Sequence, residues 1–143
     1  MTILVRAPTS ADAAAIAELL DQLGYPASAA DVTARLERLD AFSYATVLVA
    51  EHDRRIVGLV TGHVFPSIHA TPIVGWLTTL VVHSDAHGLG IGRTLAAAVE
   101  GWARQQGAVR ISVTSGKQRA AAHAFYERIG YERTGVRLTK ALA

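Results

Sequence analysis

The residues best suited to chemistry lie together in Leu80-Val81-Val82-His83-Ser84-Asp85-Ala86-His87-Gly88-Leu89-Gly90-Ile91-Gly92-Arg93-Thr94, where an apolar run meets glycines at 88, 90 and 92 and then an Ala-rich stretch. Glycine takes positive φ without steric cost and lets backbone approach a ligand closely. The first amides of a helix have no intrahelical acceptor, and aligned peptide dipoles add about half a positive charge there. Strand, glycine turn and helix in this order predict an anion cradle suited to a pyrophosphate. Arg93 and Thr94, at the helix start, read either as phosphate contacts or as solvated first-turn side chains.

Two other uses of a glycine-rich turn are excluded by spacing. No Gly-Lys-Ser/Thr is present for a nucleoside triphosphate, and no Gly-x-Gly-x-x-Gly precedes an acidic residue for a dinucleotide ribose. The turn also sits in the middle of the chain rather than after the first strand.

The elements that must hold this turn follow from periodicity. Ile3-Leu4-Val5-Arg6 predicts a first strand, and Thr9-x-x-Asp12 and Ser28-x-x-Asp31 read as capping boxes of two helices. Their apolar stripes are Ile16, Leu19, Leu20 and Leu23, ended by Gly24 and Pro26, and then Val32, Leu36 and Leu39. Tyr44 to Glu51 and Arg55 to Val64 predict a hairpin about Asp53-Arg54. Phe65 to Pro72 is expected to be an irregular exposed loop, and Val74 to Val82 the strand that feeds the turn. The helix after the turn places Ile91, Leu95, Ala98, Val99 and Trp102 on one face and stops at Gly107. Val109, Ile111 and Val113 alternate as a strand, Ser115-x-x-Gln118 caps a helix carrying Ala122, Phe125, Tyr126 and Ile129, and Tyr131 to Lys140 supplies the final strand or strands. The order β, α, α, β, β, β, α, β, α, β predicts an α/β chain with a mixed sheet and helices on both faces.

With 143 residues, 50% hydrophobic and 18% charged, the chain predicts one soluble globular domain over 1–143. No apolar run approaches the ~20 residues of a membrane span, and the start lacks a signal-peptide pattern, so no membrane partner and a cytoplasmic location are expected. A net charge of +2, with Arg and Lys scattered rather than massed, argues against nucleic-acid binding. The absence of cysteine removes disulfides, thiolate metal sites and a cysteine nucleophile, and the six histidines lack ligand spacing, so no metal is expected.

Together with the downstream run Ala122-His123-Ala124-Phe125-Tyr126-Glu127-Arg128-Ile129-Gly130-Tyr131, the glycine turn resembles the GNAT superfamily of acetyl-CoA-dependent N-acetyltransferases. The family pattern Gln/Arg-x-x-Gly-x-Gly/Ala is matched by His87-Gly88-Leu89-Gly90-Ile91-Gly92, with His in the first place. The resemblance implies one mixed, mostly antiparallel twisted sheet of roughly six to seven strands flanked by about four helices. It also implies acetyl-CoA as co-substrate, transfer of acetyl to a primary amine by direct attack in a ternary complex, and a small-molecule acceptor. Relatives commonly form homodimers, for which the final strand offers an edge.

On this resemblance the backbone of Leu80, Val81 and Val82 meets the pantetheine arm and thioester, while His87, Gly88, Leu89, Gly90, Ile91, Gly92, Arg93 and Thr94 hold the pyrophosphate. Arg119 stands where many relatives carry a cofactor-contacting Asn. Tyr126 takes the role of protonating the departing thiolate; the plain alternative is a core tyrosine in the stripe 122, 125, 126, 129. The family's strand carboxylate has no match in Trp76-Leu77-Thr78-Thr79-Leu80. A water relay through Thr78 or Thr79, or one of His63, His69 and His83 with an ordinary pKa of ~6.5, is left to serve as base. Asp85 reads as a turn residue. The alternative function is a non-catalytic acyl-CoA-binding sensor or scaffold; acetylation of an RNA-linked amine would require a concentrated basic face.

Overall fold

Each of the first four strands lies antiparallel beside the one before it in the computed structural model, which describes residues 2–114 and 120–143. The elements are β1 (Leu4–Arg6), α1 (Ala13–Leu23), α2 (Ala29–Asp40), β2 (Ala45–His52), β3 (Arg55–Ser67), β4 (Ala70–Val82), α3 (Ile91–Gln105), β5 (Ala108–Val113) and α4 (Ala120–Arg128). The sheet order is β1-β2-β3-β4-β5. Among the described residues only β4 and β5 run parallel, because the helix α3 carries the chain back across the sheet between them.

Local signals act as their chemistry requires. The Thr9 amide donates to the Asp12 carboxylate at 2.7 Å, and Ser28 and Asp31 exchange side chain-to-amide bonds of 3.0 and 3.1 Å at the start of α2. Asp53 and Arg54 take φ of 50° and 62° in the hairpin turn, a two-residue connection whose twist matches the strands it joins. Arg6 on β1 donates to Asp12 at 2.8 and 3.1 Å and to Glu51 on β2 at 3.0 Å, fastening the first strand to the entry of α1. These charge-assisted bonds hold the Asp12 carboxyl below its ordinary range.

Helices cover both faces. Ile16, Leu19 and Val32 pack with Val49, Leu59 and Val81 on one face, while Ile91, Leu95 and Val99 pack with Val60 and Leu77 on the other, joined there by Tyr126. Close approach of α3 needs glycine on the sheet: a Cβ at Gly58 would lie 2.7 Å from Leu95 Cδ1, and one at Gly62 would lie 2.7 Å from Val99 Cγ1.

Two expectations are corrected. The stretch Phe65 to Pro72 is not an irregular loop: β3 runs to Ser67 and β4 starts at Ala70, leaving a turn at Ile68-His69. Pro66 and Pro72 lack the N–H a regular ladder needs, and the register shift between Phe65 and Ser67 absorbs both. Tyr131 to Lys140 supplies no strand, so among the described residues the sheet has five strands rather than six to seven. In that segment the apolar side chains that would bind it to a sheet stay in solvent, Val136 at 84% and Leu138 at 91% exposure, so no burial compensates for ordering it. The expected cap Ser115-x-x-Gln118 and Arg119 lie outside the described residues.

Candidate active site

Strand β4 carries the turn and opens the sheet. Its ladder to β5 extends as far as Leu77↔Val113, whereas β4 continues to Val82 with Thr79, Leu80, Val81 and Val82 paired to β3 alone among the described residues. The β3–β4 register passes from Thr61↔Thr79 to Gly62↔Leu77, so Thr78 is an extra, bulged residue where β5 departs. A parallel partner that ends early leaves backbone N–H and C=O groups of β4 pointing into the gap, where an extended ligand arm can pair with them. Leu80 and Val82 also pack their side chains on the α3 side of the core.

Beyond Val82 the chain makes a short 3-10 turn over Ser84–Ala86 and enters the glycine segment. Gly88 and Gly90 have φ of 81° and 79°, and a Cβ added at either would meet nothing within 4 Å. Gly92 differs: its Cβ would lie 3.3 Å from Phe125 Cζ, so this glycine admits α4 against the start of α3. Two glycines thus shape an open cradle at the N-terminus of a 15-residue helix, and the third docks the helix that carries Tyr126. Leu89 is 39% exposed on the rim, whereas Ile91 is buried beneath it. The amides of Ile91, Gly92 and Arg93 have no intrahelical acceptor, the donor set an anion requires.

Side chains around the cradle divide sharply. The exposed ring of His87 turns back, with Nε2 3.0 Å from the Val82 carbonyl oxygen; a carbonyl only accepts, so Nε2 carries the proton. His87 therefore ties the turn to the end of β4 and occupies one of the acceptors that the sequence assigned to a ligand. Thr94 donates its hydroxyl proton to the Gly90 carbonyl at 2.9 Å, bracing the helix start. Arg93 is exposed on the first turn. Tyr126 is 9% exposed, edge-on to Phe125 at 5.3 Å and to Tyr131 at 5.6 Å between ring centres. The Tyr131 hydroxyl in turn donates to Glu100 at 2.9 Å, and burial together with that bond pushes its pKa up.

The structure separates the histidines named as bases. His83 is buried at 5% exposure; Nδ1 accepts the Asp85 amide at 3.1 Å, which places the ring proton on Nε2, 2.8 Å from Glu18 Oε1. Gln22 completes the lock by accepting the Ser84 amide at 3.0 Å. His83 thus joins α1 to the turn ahead of the cradle, and Asp85 is the turn residue expected. His69 lies in the exposed turn between β3 and β4. His63, half-buried on β3, has Nδ1 3.3 Å from Thr78 Oγ1, which is 2.7 Å from Thr61 Oγ1. Glu18, Gln22 and Thr61 carried no signal in the sequence, since their partners lie on other elements. Among the described residues no group of His, Asp and Glu side chains is placed to hold a metal ion, and no helix is long and apolar enough to cross a membrane.

Comparison with known proteins agrees with this architecture. The model of the acetyltransferase (GNAT) family matches residues 13–131. The aminoalkylphosphonate N-acetyltransferase of Salmonella typhimurium is 35% identical over 94 residues, covering 66% of this chain and 61% of that protein. An aminoglycoside N(6')-acetyltransferase of Stenotrophomonas maltophilia is 32% identical over 134 residues, covering 91% of this chain and 86% of its own. The match to a mycothiol acetyltransferase of Cellulomonas flavigena spans 32% of that longer protein. Among solved structures, a transcriptional regulator from Bacillus halodurans superposes with a TM-score of 0.89 at 21% identity over 99% of this chain and 100% of its own. An aminoglycoside N-acetyltransferase in complex with CoA superposes at 0.85 and 16% identity over 99% of this chain and 96% of its own. With the family model spanning α1 to Tyr131 and the glycine turn at the centre of that span, the chain belongs to the GNAT family of acetyltransferases.

Proposed function

We propose that this chain transfers an acetyl group from acetyl-CoA to a primary amine of a small molecule, by direct attack in a ternary complex. The observation that carries the reading is the open glycine cradle at the start of α3, joined to a β4 edge freed beyond Leu77↔Val113. Acetyl-CoA supplies an acetyl group activated as a thioester. The first-turn amides of α3 and the Gly88-to-Gly90 backbone hold its pyrophosphate, Arg93 and Arg119 add positive charge, and the β4 backbone from Leu80 to Val82 aligns the pantetheine arm. Family membership and the names of the aminoalkylphosphonate and aminoglycoside enzymes support a small amine acceptor.

In the transfer the amine nitrogen bonds to the carbonyl carbon, the C–S bond breaks, the nitrogen loses a proton and the sulfur gains one. Tyr126 serves the sulfur. Tyrosine titrates near ~10 and a thiol near ~8.5, so full proton transfer is uphill by about 2 kcal/mol and hydrogen-bond stabilisation of the thiolate is its main contribution. A lysine-like amine, with pKa ~10.4, is neutral in under about one molecule per thousand at pH 7, a deficit of roughly 4.6 kcal/mol. Without a carboxylate on β4, the chain suits an amine of lower pKa.

Thiol release from acetyl-CoA across an amine panel, with CoA affinity measured by calorimetry, tests this reading. Tyr126→Phe is expected to lower kcat by about 10²-fold while leaving CoA affinity nearly unchanged; wild-type kcat in the variant removes Tyr126 from the chemistry. Tight CoA binding with no turnover on any amine establishes the sensor reading instead. Self-association belongs to the same proposal: the outer edge of β5 is unpaired among the described residues, Val109 on it is 65% exposed, and the apolar side chains of 136 to 142 lie free in solvent.

A further inference from the structure

On the face covered by α1 and α2, the sheet is not roofed along its whole length. Leu59 and Val81 pack under these helices, and strand alternation puts Thr61 and His63 of β3 on the same face. Trp76 pairs with His63 across the β3–β4 ladder, and its ring lies 6.3 Å from that of Phe65. The bulge turns Thr78 onto this strip as well, where its hydroxyl meets both Thr61 and His63. The strip thus pairs an apolar wall, Phe65 and Trp76, with a polar array of Thr61, His63 and Thr78, beside the point where β5 leaves β4.

The hydrogen bonds of this array admit an assignment that leaves one ring nitrogen of His63 free. Thr78 Oγ1 lies 3.3 Å from the Thr61 carbonyl oxygen, which only accepts and in this assignment takes the single Thr78 hydroxyl proton. The 2.7 Å contact with Thr61 Oγ1 is then satisfied by the Thr61 proton, and the 3.3 Å contact with His63 by a proton on Nδ1. In this assignment His63 keeps an unprotonated Nε2. Among the described residues Thr78 is its one polar partner; Ala45 on β2 and Trp76 on β4 stand opposite it in the ladders, and no charged side chain pairs with it.

We propose that His63 is the general base of the acetyl transfer, held in its Nδ1–H tautomer by Thr78 and Thr61. The inference rests on the transferase reading and supplies the base that β4 lacks. As the N–C bond forms, the amine proton passes to His63 Nε2; the imidazolium then returns it to solvent. Thr78 is a positioning residue: it fixes which nitrogen is free and aims the ring along the strip from which the amine approaches the β4 edge.

The test measures thiol release by wild type, His63→Gln, His63→Gly and Thr78→Val, with 2-aminoethylphosphonate, an aminoglycoside and glycinamide as acceptors. His63→Gln is expected to lose about 10²-fold in kcat and the acid limb of its kcat/KM profile, with CoA affinity unchanged. Added imidazole should restore part of the activity of His63→Gly, and Thr78→Val should fall between wild type and His63→Gln. Nitrogen-15 spectra of the wild-type ring should show the proton on Nδ1. Wild-type kcat and an intact acid limb in His63→Gln, or a ring protonated on Nε2, overturns this inference alone. A wild-type protein that binds CoA and releases no thiol overturns the transferase reading and this one together.

Discussion

At the scale of the residue, like side chains differ by what encloses them. His83 and His63 carry the same imidazole, yet His83 spends both ring nitrogens on the Asp85 amide and Glu18, while His63 spends one on Thr78. Asp12 shows the same dependence for a carboxylate. Arg6 and the Thr9 amide hold its pKa below the ordinary value, so the folded state binds the Asp12 proton more weakly than the unfolded chain does. The stabilisation is complete above pH ~4 and fades as pH falls through the folded value. Asp12→Asn is expected to cost about 1.5–3 kcal/mol at pH 7 and less in acid, read from urea midpoints. An equal loss at pH 7 and at pH 2 contradicts the assignment.

At the scale of the element, α3 shows two glycine environments that sequence treats alike. Gly62 faces the helix from β3, and a methyl group there would sit 2.7 Å from Val99 Cγ1 in a filled core. Gly62→Ala should therefore destabilise the fold by about 1–3 kcal/mol. Gly101, within α3 itself, has nothing within 4 Å of its added Cβ, so Gly101→Ala should stabilise by about 0.5–1 kcal/mol through helix propensity. Thermal or urea unfolding of the pair checks the opposite signs, and two shifts of the same sign count against this packing. The element boundaries were legible wherever the cause is local: both capping boxes, the Asp53-Arg54 turn, and the glycines ending α1 and the helix after the cradle. The β3–β4 connection was misread because Pro66 and Pro72 signal a loop, while cross-strand pairing over long strands outweighed two missing donors.

At the scale of the whole molecule, the sheet of the described residues has two edges, the three-residue β1 on one side and β5 on the other. Beside β5 lies a hollow of about 810 Å³ of mixed lining, apolar at Ile111, Val113 and Ile129 and charged at Glu100, Arg110 and Glu132, and the segment that follows leaves Val136, Leu138 and Leu142 exposed. An open strand edge beside exposed apolar side chains favours pairing with another extended chain. On the dimer proposal, residues 134–142 of a second copy occupy this edge. Replacing Val136 and Leu138 by Lys should shift the protein from dimer to monomer in sedimentation velocity, and an unchanged sedimentation coefficient removes this segment from the contact.

The glycine turn, its flanking strand and helix, the order of the elements through α4 and the family they belong to were all readable from the residues. Each depends on short-range spacing, which backbone sterics and hydrophobic periodicity translate directly into structure. What the residues could not disclose depends on chain segments distant in sequence. The register that makes Thr78 a bulge, the early end of the β5 ladder, the return of His87 onto Val82 and the sorting of His63 from His83 all follow from how sheet and helices meet. The open cradle at the start of α3 was written in local backbone chemistry; the surroundings that distinguish His63 from His83 were decided by packing, because a histidine's role is set by its neighbours.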